Sequence, residues 1–280
     1  MRDRLMYGRR LVHQLRKRRG ELQRIRRIVD AGTFARYLLA IAAHAGTIAR
    51  TGTLEAADLT LAGRTCVFRL LGKQVVLDGR WFGIAREIYC RQVYFTLPGF
   101  DLHPGDTVID LGAHVGVFAI LAALSCHRVL AVEPQAFFVA ELRRNLERNA
   151  NAAIVTIERA LVGSGSGLFA EAQGYGHVFP PDDVPPRLTL GELIEHHRLD
   201  AVDFLKVDIE GSEFALLADR PDWLRLVRRL VMEVHLDFGD ISALRLVLDK
   251  AGFHTWLVDD AQRVTASLTP PLGYLFARRD

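Results

Sequence analysis

From about residue 104 to residue 251, short apolar runs alternate with longer segments whose apolar residues recur every three or four positions. The first pattern is typical of buried strands, and the second of helices with one buried face. The predicted strands are 107–112, 128–134, 153–161, 203–211 and 228–235, and the predicted helices lie near 115–125, 136–149, 190–198, 212–219 and 241–251. Strands that alternate with helices predict a parallel sheet covered on both faces.

The end of the chain breaks this alternation. The apolar runs 254–260 and 273–279 have no helical segment between them, so they are expected to pair as an antiparallel hairpin. The stretch 163–188 is rich in Gly, Ser and Pro, and irregular connections of that length are often lids or binding loops. The sequence therefore predicts one α/β domain over 101–280.

Two segments before this domain have their own patterns. Residues 65–78 predict two short strands joined at Gly72 and Lys73, and residues 86–97 predict a helix that ends before a Pro-Gly pair. We therefore expect a β-hairpin and a helix over 51–100, leading into the α/β domain.

The first fifty residues are expected to form a basic amphipathic helical extension. Residues 9–30 place leucine, isoleucine and valine at helical spacing among arginines, and 34–49 is too short and interrupted to span a membrane comfortably. Residues 1–30 hold eleven Lys or Arg side chains against three acidic ones. Three interpretations stay open: a solvated helix packed on the protein, a helix resting on an anionic membrane, and a nucleic-acid contact. The rest of the chain is net acidic, so the protein as a whole is not expected to bind nucleic acid.

Composition narrows the class of protein. Half of the 280 residues are hydrophobic and a quarter are charged, as in folded globular proteins. Cys66, Cys90 and Cys126 are odd in number and widely spaced, which favours a reducing compartment over a disulfide framework or a metal knuckle. The start of the chain lacks the pattern of a signal peptide. We expect a cytoplasmic protein, with peripheral contact at the inner face of the membrane if the basic helix binds lipid.

The first candidate site is the glycine turn in DTVIDLGAHVG (106–116). Ligands of open parallel sheets bind outside the carboxyl ends of the strands, where the first strand meets the next helix. Gly112 lets the chain turn sharply, and Gly116 permits a close approach to the start of the helix. Glu133 ends the second strand, where a carboxylate can accept hydrogen bonds from both hydroxyls of a ribose. The turn and Glu133 together predict an adenosine-containing cofactor.

The spacing of the turn discriminates between cofactors. A dinucleotide needs G-x-G-x-x-G, whereas Ala113 and His114 follow Gly112 here, and a Walker lysine is missing. Asp110 would repel phosphates but would orient a cationic ligand. These features favour S-adenosylmethionine over a pyrophosphate-containing cofactor.

Five segments in order, VIDLGAHVG, AVEP, RALVG, DFLKVDIEGSE and MEVH, resemble the FkbM family of S-adenosylmethionine-dependent methyltransferases over about residues 84–278. The resemblance implies a Rossmann-like class I methyltransferase sheet of seven strands, the last one antiparallel, and O-methylation of hydroxyls on sugars, glycolipids or secondary metabolites. The chain departs from the family pattern at His114, where asparagine is common, and at Gly191, where aspartate is usual. The expected cofactor-binding residues are Asp110, Gly112, Ala113, Gly116, Glu133, Pro134 and Ala160.

A second candidate site lies at the ends of two later strands. Strand periodicity puts Lys206, Asp208 and Glu210 on one face, and Glu233 and His235 share a face in the same way. Ionisable side chains are rarely buried without partners. The set is either a structural salt-bridge network, for instance between Lys206 and Glu233, or an acceptor site beside the methyl donor.

Methyl transfer to a hydroxyl requires alignment and removal of the alcohol proton. His235 is the favoured base because its ordinary pKa is near ~6.5, with Glu233 or Glu210 orienting it. Alternatively, Asp208, Glu210 and His235 hold a divalent cation that binds the hydroxyl oxygen. Lys206 is expected to hold the carboxylates together or to steady an anionic substrate.

The remaining residues of interest carry weaker signals. Glu158 or Ala160 is expected to contact the adenine, His177 is interpreted as a polar loop residue, and His196 and His197 are assigned no chemistry. The predicted partner is a small-molecule, glycan or lipid-linked hydroxyl acceptor. Two other functions stay open: a nicotinamide-dependent oxidoreductase on the same sheet, and a catalytically silent binding module at a membrane.

Overall fold

The computed structural model describes residues 19–149, 153–165, 179–180, 182–218 and 222–279. Its strands are β1 (Thr65–Leu70), β2 (Lys73–Asp78), β3 (Thr107–Leu111), β4 (Arg128–Val132), β5 (Val155–Glu158), β6 (Val202–Val207), β7 (Val227–His235), β8 (His254–Asp259), β9 (Val264–Thr265) and β10 (Leu272–Arg278). Its α-helices are α1 (Arg19–Ile28), α2 (Ala31–Ala43), α3 (Ala45–Thr51), α4 (Glu55–Leu59), α5 (Phe82–Ala85), α6 (Val117–Ala123), α7 (Ala136–Glu147), α8 (Leu190–His196), α9 (Glu213–Leu217) and α10 (Ile241–Lys250).

The large sheet has the strand order β5-β4-β3-β6-β7-β10-β8-β9. Strands β3 to β7 are parallel, and β10 lies antiparallel between β7 and β8. This topology confirms the predicted α/β, Rossmann-like class and its antiparallel last strand. The sheet has eight strands rather than the predicted seven, because the two residues of β9 pair with β8 at the edge.

The parallel strands are buried because helices cover both faces of the sheet. In β3 and β4 every residue after the first is buried, which explains why both appear in the sequence as continuous apolar runs. Since parallel strands share one direction, the carboxyl ends of β3, β4, β6 and β7 lie at one edge of the sheet. The charged residues that follow these strands therefore lie at that edge.

The described residues fall into two compact units, one of 19–93 with 147–149 and one of 94–146 with 153–279. The first unit contains α1 to α5 and the predicted hairpin of β1 and β2. The proposed division at residues 50 and 100 stays a prediction.

A buried ion cluster lies inside the first unit. Arg86 donates to both carboxylate oxygens of Asp58 and also contacts Glu21, while the Tyr37 hydroxyl donates to Asp58 at 2.7 Å. Burial raises the pKa of Asp58, and Arg86 lowers it in part. Because buried charges are costly unless paired, this cluster ties α1, α2, α4 and the segment after α5 together.

The segment 86–97 differs from the single predicted helix. It forms a π-helical turn over Arg86–Arg91, which ends at Gln92 with φ of +58°, and then a 3-10 turn over Val93–Phe95. The left-handed residue ends the helix, so the next residues run in a new direction.

The basic segment 9–30 lies partly outside the described residues. Its described part is α1, and the apolar segment 34–49 forms α2 and α3, which meet at His44. Among the described residues, every helix is too short or too polar to cross a bilayer. Contact of this region with an anionic membrane stays a prediction.

Candidate active site

The turn after β3 can only be made by glycine. Gly112 has φ of +74°, and a Cβ added there would lie 1.6 Å from the backbone oxygen of Asp208. The Asp208 amide donates to the carbonyl of Leu111 at 3.1 Å, so the ends of β3 and β6 are held together. The close approach explains the requirement for glycine at this position.

Glu133, directly after β4, lies beside this turn. Its two carboxylate oxygens accept hydrogen bonds from the backbone amides of His114 and Gln135, both at 2.9 Å. The residue is 4% exposed. Burial raises the pKa of Glu133 to about 7, although the two amides and Lys206 act in the opposite direction. The carboxylate is thus fixed at the strand end where nucleotide-binding sheets hold a ribose.

The departure from the family pattern at His114 has a backbone explanation. His114 has φ of +50°, in the left-handed region where asparagine and histidine are both enriched among non-glycine residues. Its ring packs against Phe138, with 3.8 Å between the ring centroids. Burial lowers the pKa of His114 to about 4, so the ring is neutral at physiological pH and adds no positive charge beside the turn.

Asp110 is paired within the protein, and its predicted orientation of a cationic ligand stays a prediction. The residue is fully buried, and its Oδ1 lies 3.0 Å from Lys206 Nζ. Burial raises the pKa of Asp110, and Lys206 offsets this in part. Lys206 also donates to the carbonyl of Gly112 at 2.7 Å. Lys206, held by Asp110, therefore supports the glycine turn through its hydrogen bond to the Gly112 carbonyl.

The predicted charged cluster at the ends of β6 and β7 is brought together. The Tyr94 hydroxyl lies 3.0 Å from Asp208 Oδ2 and 3.2 Å from Glu233 Oε2. Lys206 Nζ lies 3.6 Å from the same oxygen of Asp208. Burial lowers the pKa of Lys206, but Asp110 and Asp208 outweigh burial and raise it. Lys206 therefore holds the carboxylates together, one of its two expected roles.

His235 is paired differently from the expectation for a free general base. Its Nδ1 lies 3.1 Å from Glu213 Oε1, and its Nε2 lies 3.2 Å from Glu210 Oε2. Burial lowers the pKa of His235, but the hydrogen bonds with Glu210 and Glu213 outweigh burial and raise it to about 11. In this arrangement both ring nitrogens are paired with a carboxylate, and the general-base role of His235 stays a prediction.

Two important residues were missed by the sequence analysis. Tyr94 lies in a segment interpreted as plain helix, and nothing in its pattern pointed to the cluster. Glu213 belongs to the quoted motif DFLKVDIEGSE, but no role was assigned to it. Its side chain is completely buried and accepts from the amides of Ile209 and Gly211, both at 3.2 Å. A glutamate directly before the apolar run 214–218 is the sequence signal that could have identified it.

Other predicted residues lie farther along the sheet edge. Ala160 is fully buried, and Glu158 pairs with His197 Nε2 at 3.0 Å; contact of either with an adenine stays a prediction. His177 and much of the 163–188 connection lie outside the described residues.

The start of α8 is capped although Gly191 stands where the family usually has aspartate. Thr189 is the N-cap, its hydroxyl accepts from the Glu192 amide, and the Glu192 side chain accepts from the Thr189 amide. This reciprocal capping box satisfies the first turn of the helix, so helix capping does not require an aspartate at position 191.

Comparisons with known proteins identify the family of this chain. The family model for the methyltransferase FkbM domain matches residues 110–255, just over half of the chain. The 31-O-demethyl-FK506 methyltransferase FkbM of Streptomyces tacrolimicus is 26% identical over 211 residues, covering 60% of this chain and 80% of that protein. The AMB antimetabolite synthetase AmbE of Pseudomonas aeruginosa is 26% identical over 234 residues, covering 64% of this chain but 11% of that protein.

Among solved structures, the methyltransferase FkbM from Methylobacillus flagellatus is 17% identical, with a TM-score of 0.45, and covers 82% of this chain and 60% of that chain. The matched family segment starts at Asp110 and includes the glycine turn, Glu133 and the cluster around Asp208. The chain is a methyltransferase-fold protein that belongs to the FkbM methyltransferase family.

Proposed function

We propose that this protein is an S-adenosylmethionine-dependent O-methyltransferase. The observation that carries the proposal is the position of Glu133: a buried carboxylate fixed by two amides, beside a turn that only glycine can make. This side chain lies at the edge of the sheet where the second charged cluster also lies. A nucleoside bound at Glu133 and an acceptor bound at that cluster would share one edge of the sheet, which supports transfer of a group between two bound molecules.

The residues at the turn fit an adenosine bearing a sulfonium. Gly112, Ala113 and Gly116 would lie against the cofactor, and Glu133 would accept hydrogen bonds from the ribose hydroxyls. The turn lacks the middle glycine that a pyrophosphate needs, and the neutral His114 adds no charge that would repel a sulfonium. S-adenosylmethionine, when bound, supplies a methyl group on a positively charged sulfur.

Asp208 and Glu233 are the proposed general bases that take the proton of the acceptor hydroxyl. An alcohol is a weak nucleophile until its proton is taken, and a positioned carboxylate is a suitable general base. These two side chains already share the hydroxyl of Tyr94, so their geometry is suited to holding an O–H group. We assign them the role first predicted for His235, whose two ring nitrogens are engaged by Glu210 and Glu213.

The acceptor class is proposed by similarity. The Streptomyces relative is named for methylation at an oxygen, and the family resemblance implies hydroxyls of sugars, glycolipids or secondary metabolites. An oxygen acceptor is consistent with a carboxylate pair, since hydroxyls donate readily to carboxylates.

A screen of hydroxylated sugars, glycolipids and secondary metabolites with a methyl-labelled donor tests the proposal. We expect label transfer to an oxygen of at least one acceptor, and loss of transfer in Asp208→Asn. Asp200→Asn changes an exposed aspartate and serves as the matched control, which should retain full transfer. Transfer to nitrogen or carbon, or full transfer by Asp208→Asn, would contradict the proposed chemistry.

A further inference from the structure

We infer that Asp208, Glu233 and His235 form a binding site for one hard divalent cation, Mg²⁺ or Mn²⁺, on the acceptor side of the proposed active site. The role of this cation in methyl transfer rests on the proposed function, whereas the arrangement of its three ligands does not. One potential ligand atom from each of the three side chains lies within 4.8 Å of the others. The two carboxylates are hard oxygen ligands of the kind that Mg²⁺ and Mn²⁺ prefer, and His235 would add one nitrogen ligand.

This set differs from the one predicted from the sequence. Glu233 takes the place of Glu210, because Glu210 lies beyond the end of β6 at a left-handed residue with φ of +51°. Its side chain is 46% exposed and approaches His235 from the solvent side. Glu233 instead shares the Tyr94 hydroxyl with Asp208, which places both carboxylates around one small volume.

The orientation of His235 is the strongest sign of a ligand. Metal-binding histidines generally donate their other ring N–H to a carboxylate or carbonyl, which fixes the ring. Glu213 has this relationship to His235: it is completely buried, and its Oε1 lies 3.1 Å from Nδ1. Two backbone amides hold Glu213 in place. The remaining nitrogen, Nε2, would therefore bind a cation that displaces both Glu210 and the Nε2 proton.

The balance of charge also favours a cation. Five carboxyl groups, those of Asp110, Asp208, Glu210, Glu213 and Glu233, surround two cationic side chains, Lys206 and His235. Among the described residues, Glu213 Oε2 is also buried without a hydrogen-bond partner. A divalent ion would offset this excess negative charge and would lower the pKa of a hydroxyl bound to it.

A second group, Glu158, His196 and His197, has comparable spacing but a different environment. His197 Nε2 pairs with Glu158 itself at 3.0 Å, and His196 is exposed. Among the described residues, this group shows no fully buried carboxylate behind either ring. It supplies the matched control for binding of a cation by surface histidines.

The test is a titration of the chelator-treated protein with Mn²⁺, in which electron paramagnetic resonance measures free Mn²⁺. We expect one Mn²⁺ per chain, displaced by Mg²⁺. Affinity should fall more than tenfold in Asp208→Asn with Glu233→Gln, and about 10–100-fold in Glu213→Gln, which weakens the support of His235. His196→Ala should bind Mn²⁺ as the unaltered protein does.

Circular dichroism of each variant reports whether it folds. Absence of bound Mn²⁺ at millimolar concentration, or binding that survives the Asp208→Asn, Glu233→Gln double substitution but not His196→Ala, would overturn the cation site. Because this titration needs neither cofactor nor acceptor, failure of the cation site leaves the proposed methyl transfer intact. Failure to bind S-adenosylhomocysteine would overturn the proposed function and leave the cation site standing.

Discussion

The Tyr94 hydroxyl lies 3.0 Å from Oδ2 of Asp208, although the two residues are 114 positions apart in the chain. The same hydroxyl lies 3.2 Å from Glu233. Tyr94 is 3% exposed, so it holds the two carboxylates from within the protein. We regard it as a positioning residue for the acceptor side of the site.

Replacement of Tyr94 by phenylalanine removes this hydroxyl and keeps the ring. We expect transfer to the acceptor to fall about tenfold or more, because a hydrogen bond to a charged group contributes roughly 1.5–3 kcal/mol. The affinity for S-adenosylhomocysteine should stay unchanged. Steady-state kinetics and calorimetry on the same samples measure the two effects.

Tyr37→Phe is the matched control, since Tyr37 also donates to a buried aspartate, Asp58, but in the first unit. That variant should lose stability and keep its turnover number. Equal turnover in Tyr94→Phe and the unaltered protein would remove Tyr94 from the mechanism.

Gly112→Ala tests the close approach at the turn. The added methyl would lie 1.6 Å from the Asp208 carbonyl oxygen, so the end of β3 or the start of the Asp208 segment must shift. We expect S-adenosylhomocysteine binding to weaken at least tenfold in calorimetry.

Gly105→Ala controls for backbone strain alone. Gly105 has φ of +95°, and nothing lies within 4 Å of an added methyl. The Gly105→Ala variant should therefore lose only about 1–2 kcal/mol of stability and retain its cofactor affinity. Equal loss of affinity in both variants would mean that the contact with Asp208 is unimportant.

Arg86→Met tests the buried ion cluster of the first unit. Loss of the guanidinium leaves Asp58 and Glu21 without their shared cation, so the free energy of unfolding should fall by about 3–5 kcal/mol. Arg80→Met is the control, because the Arg80 side chain is 45% exposed beside Asp78 and such pairs contribute below about 1 kcal/mol. Urea denaturation followed by circular dichroism measures both, and similar losses would contradict the importance of the buried cluster.

Glu133 predicts a pH dependence of cofactor binding. Burial raises its pKa to about 7, and ribose hydroxyls need the ionised form as acceptor. S-adenosylhomocysteine should therefore bind about tenfold more weakly at pH 6 than at pH 8. The stability of the fold should change with pH in the opposite direction. Because the pKa of Glu133 is raised by folding, protonated Glu133 stabilises the fold below the ordinary glutamate pKa, and this contribution is lost as pH rises through 7.

Calorimetry over this pH range checks the first effect, with Glu133→Gln as the control. That variant has no proton to lose at this position, so its weaker binding should be independent of pH between 6 and 8. An unaltered pH dependence in Glu133→Gln would assign the titration to another group.

The sequence predicted the sheet well, because buried parallel strands are continuous apolar runs that few other structures produce. It also placed Lys206, Asp208 and Glu233 together, since strand ends in a parallel sheet share an edge. It did not predict Tyr94, because the contacts of its hydroxyl with Asp208 and Glu233 join residues more than one hundred positions apart in the chain.

The role of His235 was also beyond the sequence. Periodicity placed it beside the carboxylates, but it does not show that the ring lies 3.2 Å from Glu210 and 3.1 Å from Glu213. Likewise, Asp110 was identified as important, but its complete burial against Lys206 depends on how β3 and β6 pack. Burial and pairing arise from tertiary contacts that a linear pattern does not contain.

Calorimetric titration with S-adenosylhomocysteine and, separately, with NAD tests most directly whether the glycine turn and Glu133 hold a sulfonium-type nucleoside cofactor. We predict binding of S-adenosylhomocysteine, no binding of NAD, and at least tenfold weaker binding of S-adenosylhomocysteine by Glu133→Ala. Binding of NAD without S-adenosylhomocysteine, or unchanged affinity in Glu133→Ala, would contradict the account.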